Sequence, residues 1–268
     1  MMGDIINHLP DREDAMSTDT QTEPRRRVQR VRHELQRREL RVTRVEPRGE
    51  RFVAVTVQGD SLRTFASASF DDHVKLMLPD GRGGLQMRDY TPRACDTARG
   101  ELVLEFALHG DGPFTEWAAQ AQAGQTLTVA GPRGSMVIPT DYDWHLLVGD
   151  DSAWPAIARR LEELPASAHV QVLLLMPDAP AWPVRTSALP RCFATPEALV
   201  QALRDLALPP GEGFAWCAGE ARLMATLRDV LLREKGHPKE AMKVAAYWKQ
   251  GATGYHARLD DEAVPAAA

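Results

Sequence analysis

The sequence predicts a β-barrel followed by an α/β unit: an antiparallel six-stranded barrel over residues 25–139, then a doubly wound parallel sheet over 140–268. Three observations lead there. Before Pro139, apolar residues fall in short runs broken by Gly, Pro, Asp and Ser clusters, as in a closed or nearly closed barrel. After it, "WHLLVGD" (144–150) and "VQVLLLMPD" (170–178) are continuous apolar runs, as strands buried on both faces require. Stretches of helical period separate these later strands, so strand and helix alternate.

The elements follow in order. Residues 1–24 are polar and non-periodic and read as a disordered tail. Residues 25–44 carry nine arginines, and "ELRVTRVEP" alternates, so this basic run reads as a solvated edge leading into a strand. Barrel strands are expected in "LRVTRVEP" (40–47), "RFVAVTVQG" (51–59), "HVKLMLP" (73–79), "LQMRDYTPR" (85–93), "ELVLEFALHG" (101–110) and "QTLTVAG" (125–131). One helix interrupts them at about 114–121. In the second half, helices are expected in "SAWPAIARRLEELP" (152–165), "TPEALVQALRDLAL" (195–208) and "EARLMATLRDVLLREKG" (220–236). Short strands are expected in "RCFA" (191–194), "FAWCAG" (214–219) and "KVAAYW" (243–248).

Composition narrows the function. The 268 residues carry 32 Lys and Arg against 37 Asp and Glu, a net charge of −5, which argues against a general nucleic-acid binder. Cys95, Cys192 and Cys217 are odd in number and widely spaced, so they read as free thiols in a reducing compartment. The eight histidines show no metal-ligand spacing. The N-terminus lacks a basic-then-apolar leader, and no apolar run approaches the roughly 20 residues of a membrane helix. These points predict a soluble, cytoplasmic chain, read here as a monomer.

The stretch "MRDYTPR" (87–93) is unlike a core strand, with only Met87 and Tyr90 to bury. Arg88 and Tyr90 project from one face and suit a flat aromatic ligand with a pyrophosphate, such as a flavin: the tyrosine stacks and the arginine fork takes phosphate. A surface strand with a half-buried tyrosine is the plainer reading. "HGDGPFTEWA" (109–118) runs a Gly-rich turn into a helix start, which is either an anion site or an ordinary cap. "GPRGS" (131–135) is a tight turn centred on a cation, whereas "GRGG" (81–84) is a plain loop. No GxGxxG is present.

Together "FDDHVKLMLP" (70–79), "RDYTPR", "HGDGPFTEWA", "AGPRGS", "HLLVGDDSAWPAIARRLE" (145–162), "WCAGE" (216–220) and "KVAAYW" stand in the order found in the siderophore-interacting proteins. Over about 30–250 the chain resembles that family of flavin-dependent ferric-siderophore reductases, closest to its shorter, NADPH-using subgroup. The resemblance implies a ferredoxin-reductase-like fold, with FAD on the barrel and NAD(P)H on the α/β unit. Arg88, Tyr90 and Thr91 would bind FAD, Tyr90 against the isoalloxazine and Arg88 at the pyrophosphate. His73 would face the flavin, and His109, Gly112, Pro113, Thr115 and Trp117 would complete the phosphate and adenine side. Asp150, Asp151, Ser152, Ala218, Gly219, Glu220 and Trp248 would line the nicotinamide side, at strand ends where such sheets take ligands. The subgroup's basic triad for the ferric siderophore falls on Lys75, Arg133 and Lys243. The third is commonly an arginine there, and lysine keeps the charge without the fork.

This resemblance implies hydride transfer from NADPH, with NADH as an alternative, to FAD, then single-electron reduction of Fe(III) in a siderophore. Because the cofactor carries the chemistry, no catalytic acid, base or nucleophile and no protein metal ligand is assigned. Two other readings stay open: a flavin reductase serving a quinone, a ferredoxin or free ferric chelates, and a non-enzymatic siderophore binder. Trp117, Trp144, Trp154 and Trp216 are expected in the core, where tryptophan buries most of its area.

Overall fold

The computed structural model describes residues 27–108, 112–178 and 188–252, together with the backbone of Ala257–Arg258. The expected tail (1–24), the first two arginines of the basic run, and His109 lie outside the described residues.

Strands β1 (Gln29–Arg32) and β9 (Gly134–Val137) form a separate antiparallel ribbon. The barrel sheet comprises β2 (Arg37–Arg48), β3 (Phe52–Gln58), β4 (Val74–Pro79), β5 (Leu85–Tyr90), β6 (Pro92–Asp96), β7 (Glu101–Ala107) and β8 (Thr126–Ala130). They pair antiparallel in the order β5-β4-β8-β2-β3-β7-β6. The stretch 85–93 therefore differs from the single strand expected. It breaks at Thr91, and its halves occupy opposite edges of the sheet. Pro92 has no N–H to continue the β5 ladder, and the residue before it is pushed into extended backbone. The chain thus bends across the gap between the edges and curls the sheet towards closure. Leu40, Val42, Val55, Val57, Leu76, Leu104 and Leu127 fill the interior, with Phe114 of the short helix α1 (Pro113–Ala119) plugging one end.

The second sheet holds β10 (Trp144–Asp150), β11 (Val170–Leu175), β12 (Arg191–Phe193), β13 (Gly213–Glu220), β14 (Met242–Trp248) and β15 (Ala257–Arg258). The order is β12-β11-β10-β13-β14-β15, all parallel except the last pair. Helix α2 (Trp154–Glu163) covers the barrel side, while α3 (Pro196–Asp205) and α4 (Ala221–Asp229) cover the other. Thr195 caps α3 by accepting from Ala198 N, and Glu220 caps α4 by accepting from Arg222 N and Leu223 N. Strand order reverses between β10 and β13, which is where a doubly wound sheet opens a crevice at its C-terminal edge.

Polar side chains join the two sheets. Arg93 of β6 forks onto Glu162 of α2 at 2.5 and 2.9 Å and lies beside the buried Glu105. Arg159 donates to the Ser67 hydroxyl and to the carbonyls of Ser67 and Pro92. Phe70 packs edge-on to Trp216 at 5.4 Å. Below that contact, Trp216 Nε1 donates to Asp71 Oδ1 at 2.8 Å, and the Lys243 ammonium sits on Asp71 Oδ2. Cys95, Cys192 and Cys217 are free, as expected.

The packing carries a pH signature. His145 on β10 is 1% exposed, and burial, reinforced by the nearby Arg160 charge, lowers its pKa from 6.5 to about 4. Between those values the unfolded chain binds the proton and the folded chain does not, so stability falls as pH drops from 6.5 towards 4. Up to about 3 kcal/mol is at stake. Thermal unfolding from pH 7 down to pH 4 should show a steep fall in midpoint for the wild type and a shallower one for His145→Gln.

Candidate active site

β5 is an edge strand, and side chains from both its faces, Met87 and Asp89 on one and Arg88 and Tyr90 on the other, line one cleft. This resolves the odd composition of "MRDYTPR". Tyr90 turns inward, its ring 4.6 Å from Phe106 and 5.9 Å from Phe114, and burial holds its phenol above the ordinary range. Asp89 receives the Lys75 ammonium at 2.9 and 3.0 Å. Arg93 is consumed by Glu105 and Glu162. Arg88 donates to the Met87 carbonyl at 2.8 Å and lies 6.0 Å from the Phe114 ring centre. Among the described residues no carboxylate pairs with Arg88.

These residues wall a cleft of about 400 Å³ between the barrel and the parallel sheet. The barrel side is His73, Lys75, Met87 to Thr91, Glu105, Ala107 and Gly112 to Thr115. The opposite side is Asp151, Ser152, Pro155, Tyr247, Trp248 and Ala252. Asp151 is tied across to Arg51 at 2.5 Å. Burial lowers the pKa of His73, against the pull of Asp89 and Asp71. Glu105 is pushed up by burial, with Arg93 and Arg48 opposing.

Of the residues expected to hold FAD, His73, Arg88, Tyr90, Thr91, Gly112, Pro113 and Thr115 line this cleft. Trp117 does not; it packs on Phe106 at 5.6 Å, because it sits on the barrel-facing side of α1. On the other side Asp151, Ser152 and Trp248 line the cleft, while Asp150, Ala218, Gly219 and Glu220 stand just behind it at the ends of β10 and β13. Asp150 is 6% exposed and acts as a clamp. It accepts from Ser152 N and Oγ, Glu220 N and Trp248 Nε1, and so fixes the indole that faces the cleft. Gly219 has φ +152°, and a Cβ there would stand 2.5 Å from Asp150 Oδ2, so glycine is required for that clamp.

The three expected acceptor-binding cations part company. Lys75 lines the cleft mouth, with its side chain 46% exposed. Arg133 is exposed in the turn after β8, next to the His73 and Val74 backbone that Gly131 approaches, but it does not line the cleft. Lys243 departs from expectation: it is 4% exposed, paired with Asp71 and absent from the cleft wall. It pairs in register with Trp216 of β13, and its ammonium points into the contact with the barrel. Asp89, Glu105, Phe114 and Tyr247 were not singled out from the sequence. Glu105 was detectable there as a carboxylate interrupting the apolar run "LVLEFA".

The donor set fits a flavin. The cleft has the size of a cofactor pocket. It offers an aromatic ring flanked by a guanidinium that has no carboxylate partner among the described residues, and a Cβ on Gly112 would meet nothing within 4 Å, so backbone there is open to a ligand.

Comparisons with known proteins agree with this geometry. Residues 83–136 match the siderophore-interacting FAD-binding domain and residues 142–251 match the siderophore-interacting protein family. An NADPH-dependent ferric-chelate reductase of Escherichia coli (strain K12) is 35% identical over 82% of this chain and 96% of its own length. The crystal structure of a siderophore utilization protein from T. fusca superposes with TM-score 0.79 at 31% identity, covering 85% of this chain and 98% of that one. The ferredoxin reductase in carbazole 1,9a-dioxygenase shares the fold alone, with TM-score 0.60 at 16% identity over 78% of this chain and 68% of that one.

Proposed function

The chain belongs to the siderophore-interacting protein family, and from that membership we propose that it is an FAD-dependent NAD(P)H oxidoreductase that reduces ferric siderophores. The observation that carries the reading is one cleft with two unlike walls. Arg88, Tyr90 and Thr91 of the barrel face Ser152 and Trp248 at the switch point of the parallel sheet. Two flat ring systems can meet only in such a gap.

Tyr90, backed by Phe106 and Phe114, supplies the stacking surface for the isoalloxazine. Arg88 supplies the charge for the pyrophosphate, with Gly112, Pro113 and Thr115 beside it. Ser152 and Trp248, held by Asp150, orient the nicotinamide, and the buried clamp keeps that indole from swinging into water. Bound FAD supplies the conversion of a two-electron hydride into single electrons. Lys75 at the cleft mouth, with the exposed Arg133 in the turn after β8, attracts an anionic ferric complex. Fe(III) suits the hard oxygen donors of a siderophore better than Fe(II) does, so reduction loosens the substrate without any protein iron ligand.

NADPH is the donor suggested by the relative of known activity. The three free thiols favour a reducing compartment, and we place the reaction in the cytoplasm with a monomeric chain. No helix among the described residues is long and apolar enough to cross a membrane. The barrel (25–139) is taken as the FAD unit and 140–268 as the nicotinamide unit.

The visible spectrum of the purified protein tests this. Anaerobic NADPH should bleach a bound flavin, and a ferric siderophore added with an Fe(II) chelator should restore it. A flavin that bleaches but is reoxidised only by quinones or ferredoxin would move the acceptor; a protein that takes up no FAD would remove the reading.

A further inference from the structure

The outer face of the barrel carries a feature beyond this reading. Cross-strand register sets Arg37, Ala130, Lys75 and Asp89 in one row across β2, β8, β4 and β5. Arg37 is exposed and stands two strand spacings, ~10 Å, from Lys75, with the buried Ala130 between them. The row ends at the cleft mouth, where Lys75, Met87 and Asp89 all line the wall. There Lys75 Nζ donates to both carboxylate oxygens of Asp89, at 2.9 and 3.0 Å.

The partners are unequal. The lysine side chain is 46% exposed and the aspartate 18%. The aspartate is short and set in the strand, whereas the lysine hangs on a flexible stem. An anion approaching Lys75 must therefore draw the ammonium away from a carboxylate that stays in place, and then bear its repulsion. Asp89 already occupies the position that a carboxylate or catecholate oxygen of the substrate would take.

Resting on the acceptor reading above, we propose that Asp89 is a specificity-determining residue: as a built-in counter-ion on Lys75, it biases the site towards ferric complexes of low net negative charge and against polyanionic ones. The exposed Arg37 and Arg133, outside the cleft wall, then attract modestly, while Lys75 answers to Asp89 first. Sequence gave no hint of this, because Asp89 and Lys75 meet only through the pairing of β4 with β5.

The test uses the full chain loaded with FAD. Two acceptors are compared, ferric citrate in citrate excess as a polyanion and tris(maltolato)iron(III) as a neutral complex, with Fe(II) trapped by a chelator. In Asp89→Asn the ratio of kcat/KM for ferric citrate to that for the maltolate complex should rise about fivefold, the size expected for one exposed charge pair. The gain should shrink at high salt and vanish in Lys75→Met/Asp89→Asn. A readout without turnover is binding of gallium(III) citrate, which has the charge of the ferric complex and cannot be reduced, to the oxidised protein. Affinity should rise about fivefold in Asp89→Asn and fall in Lys75→Met, where Asp89 is left unpaired. An unchanged ratio and unchanged gallium citrate affinity in both variants would overturn the proposal while leaving the reductase reading intact. A wild type that reduces neither ferric citrate nor the neutral maltolate complex would overturn both.

Discussion

Lys243→Met should lower the unfolding free energy by about 3–5 kcal/mol, the cost of leaving a buried charge without its partner. Lys243 is 4% exposed and Asp71 5%, and the carboxylate also accepts from Trp216 Nε1. Removing the ammonium leaves Asp71 charged between the barrel and the parallel sheet. Removing both charges, in Asp71→Asn/Lys243→Met, should recover much of the loss, since the asparagine oxygen still accepts from the indole. Urea unfolding of the two single variants and the double variant gives the coupling directly. The same proteins decide the residue's role. A Lys243→Met protein that keeps wild-type stability but binds gallium citrate poorly would place the ammonium in the acceptor site after all.

The second large effect is on the cofactor. Arg88→Ala should weaken FAD binding by about 10- to 100-fold, the range for losing one charge-assisted contact of about 1.5–3 kcal/mol. Stability without cofactor should change little, because the side chain is engaged only by its own strand's Met87 carbonyl and the Phe114 ring. Fluorescence titration of the flavin-free protein with FAD measures the first quantity and its thermal midpoint the second. Arg88→Lys should recover part of the affinity by keeping charge while losing the fork. Wild-type FAD affinity in Arg88→Ala would remove Arg88 from the cofactor site.

Much of the fold was legible because its signals are local. The apolar runs at 144–150 and 170–178 announced buried parallel strands, and the short runs broken by turn residues before Pro139 announced the barrel. The break at Thr91 was hidden. A bend that carries a strand from one sheet edge to the other is fixed by its two partners, β4 and β7, and not by the residues at the bend alone. Strand β3 is a similar case. It is buried on both faces: Val53, Val55 and Val57 fill the barrel interior, while Phe52 at its start packs with α2 and the second sheet.

The site divides along the same line. Residue order alone shows which side chains are on offer: an arginine and an aromatic two apart at 88 and 90, an acidic pair at the end of β10, and cations at 75, 133 and 243. Which of those charges face a ligand and which face one another is set by the packing of distant elements. Lys243 meets a carboxylate 172 residues away, Arg93 one 69 away and Lys75 one 14 away. Periodicity is a property of a few neighbouring residues, whereas an ion pair depends on the register and packing of elements far apart in the chain. A lysine that looks free in sequence can therefore be a buried strut, and one that looks poised for substrate can already hold a carboxylate of its own.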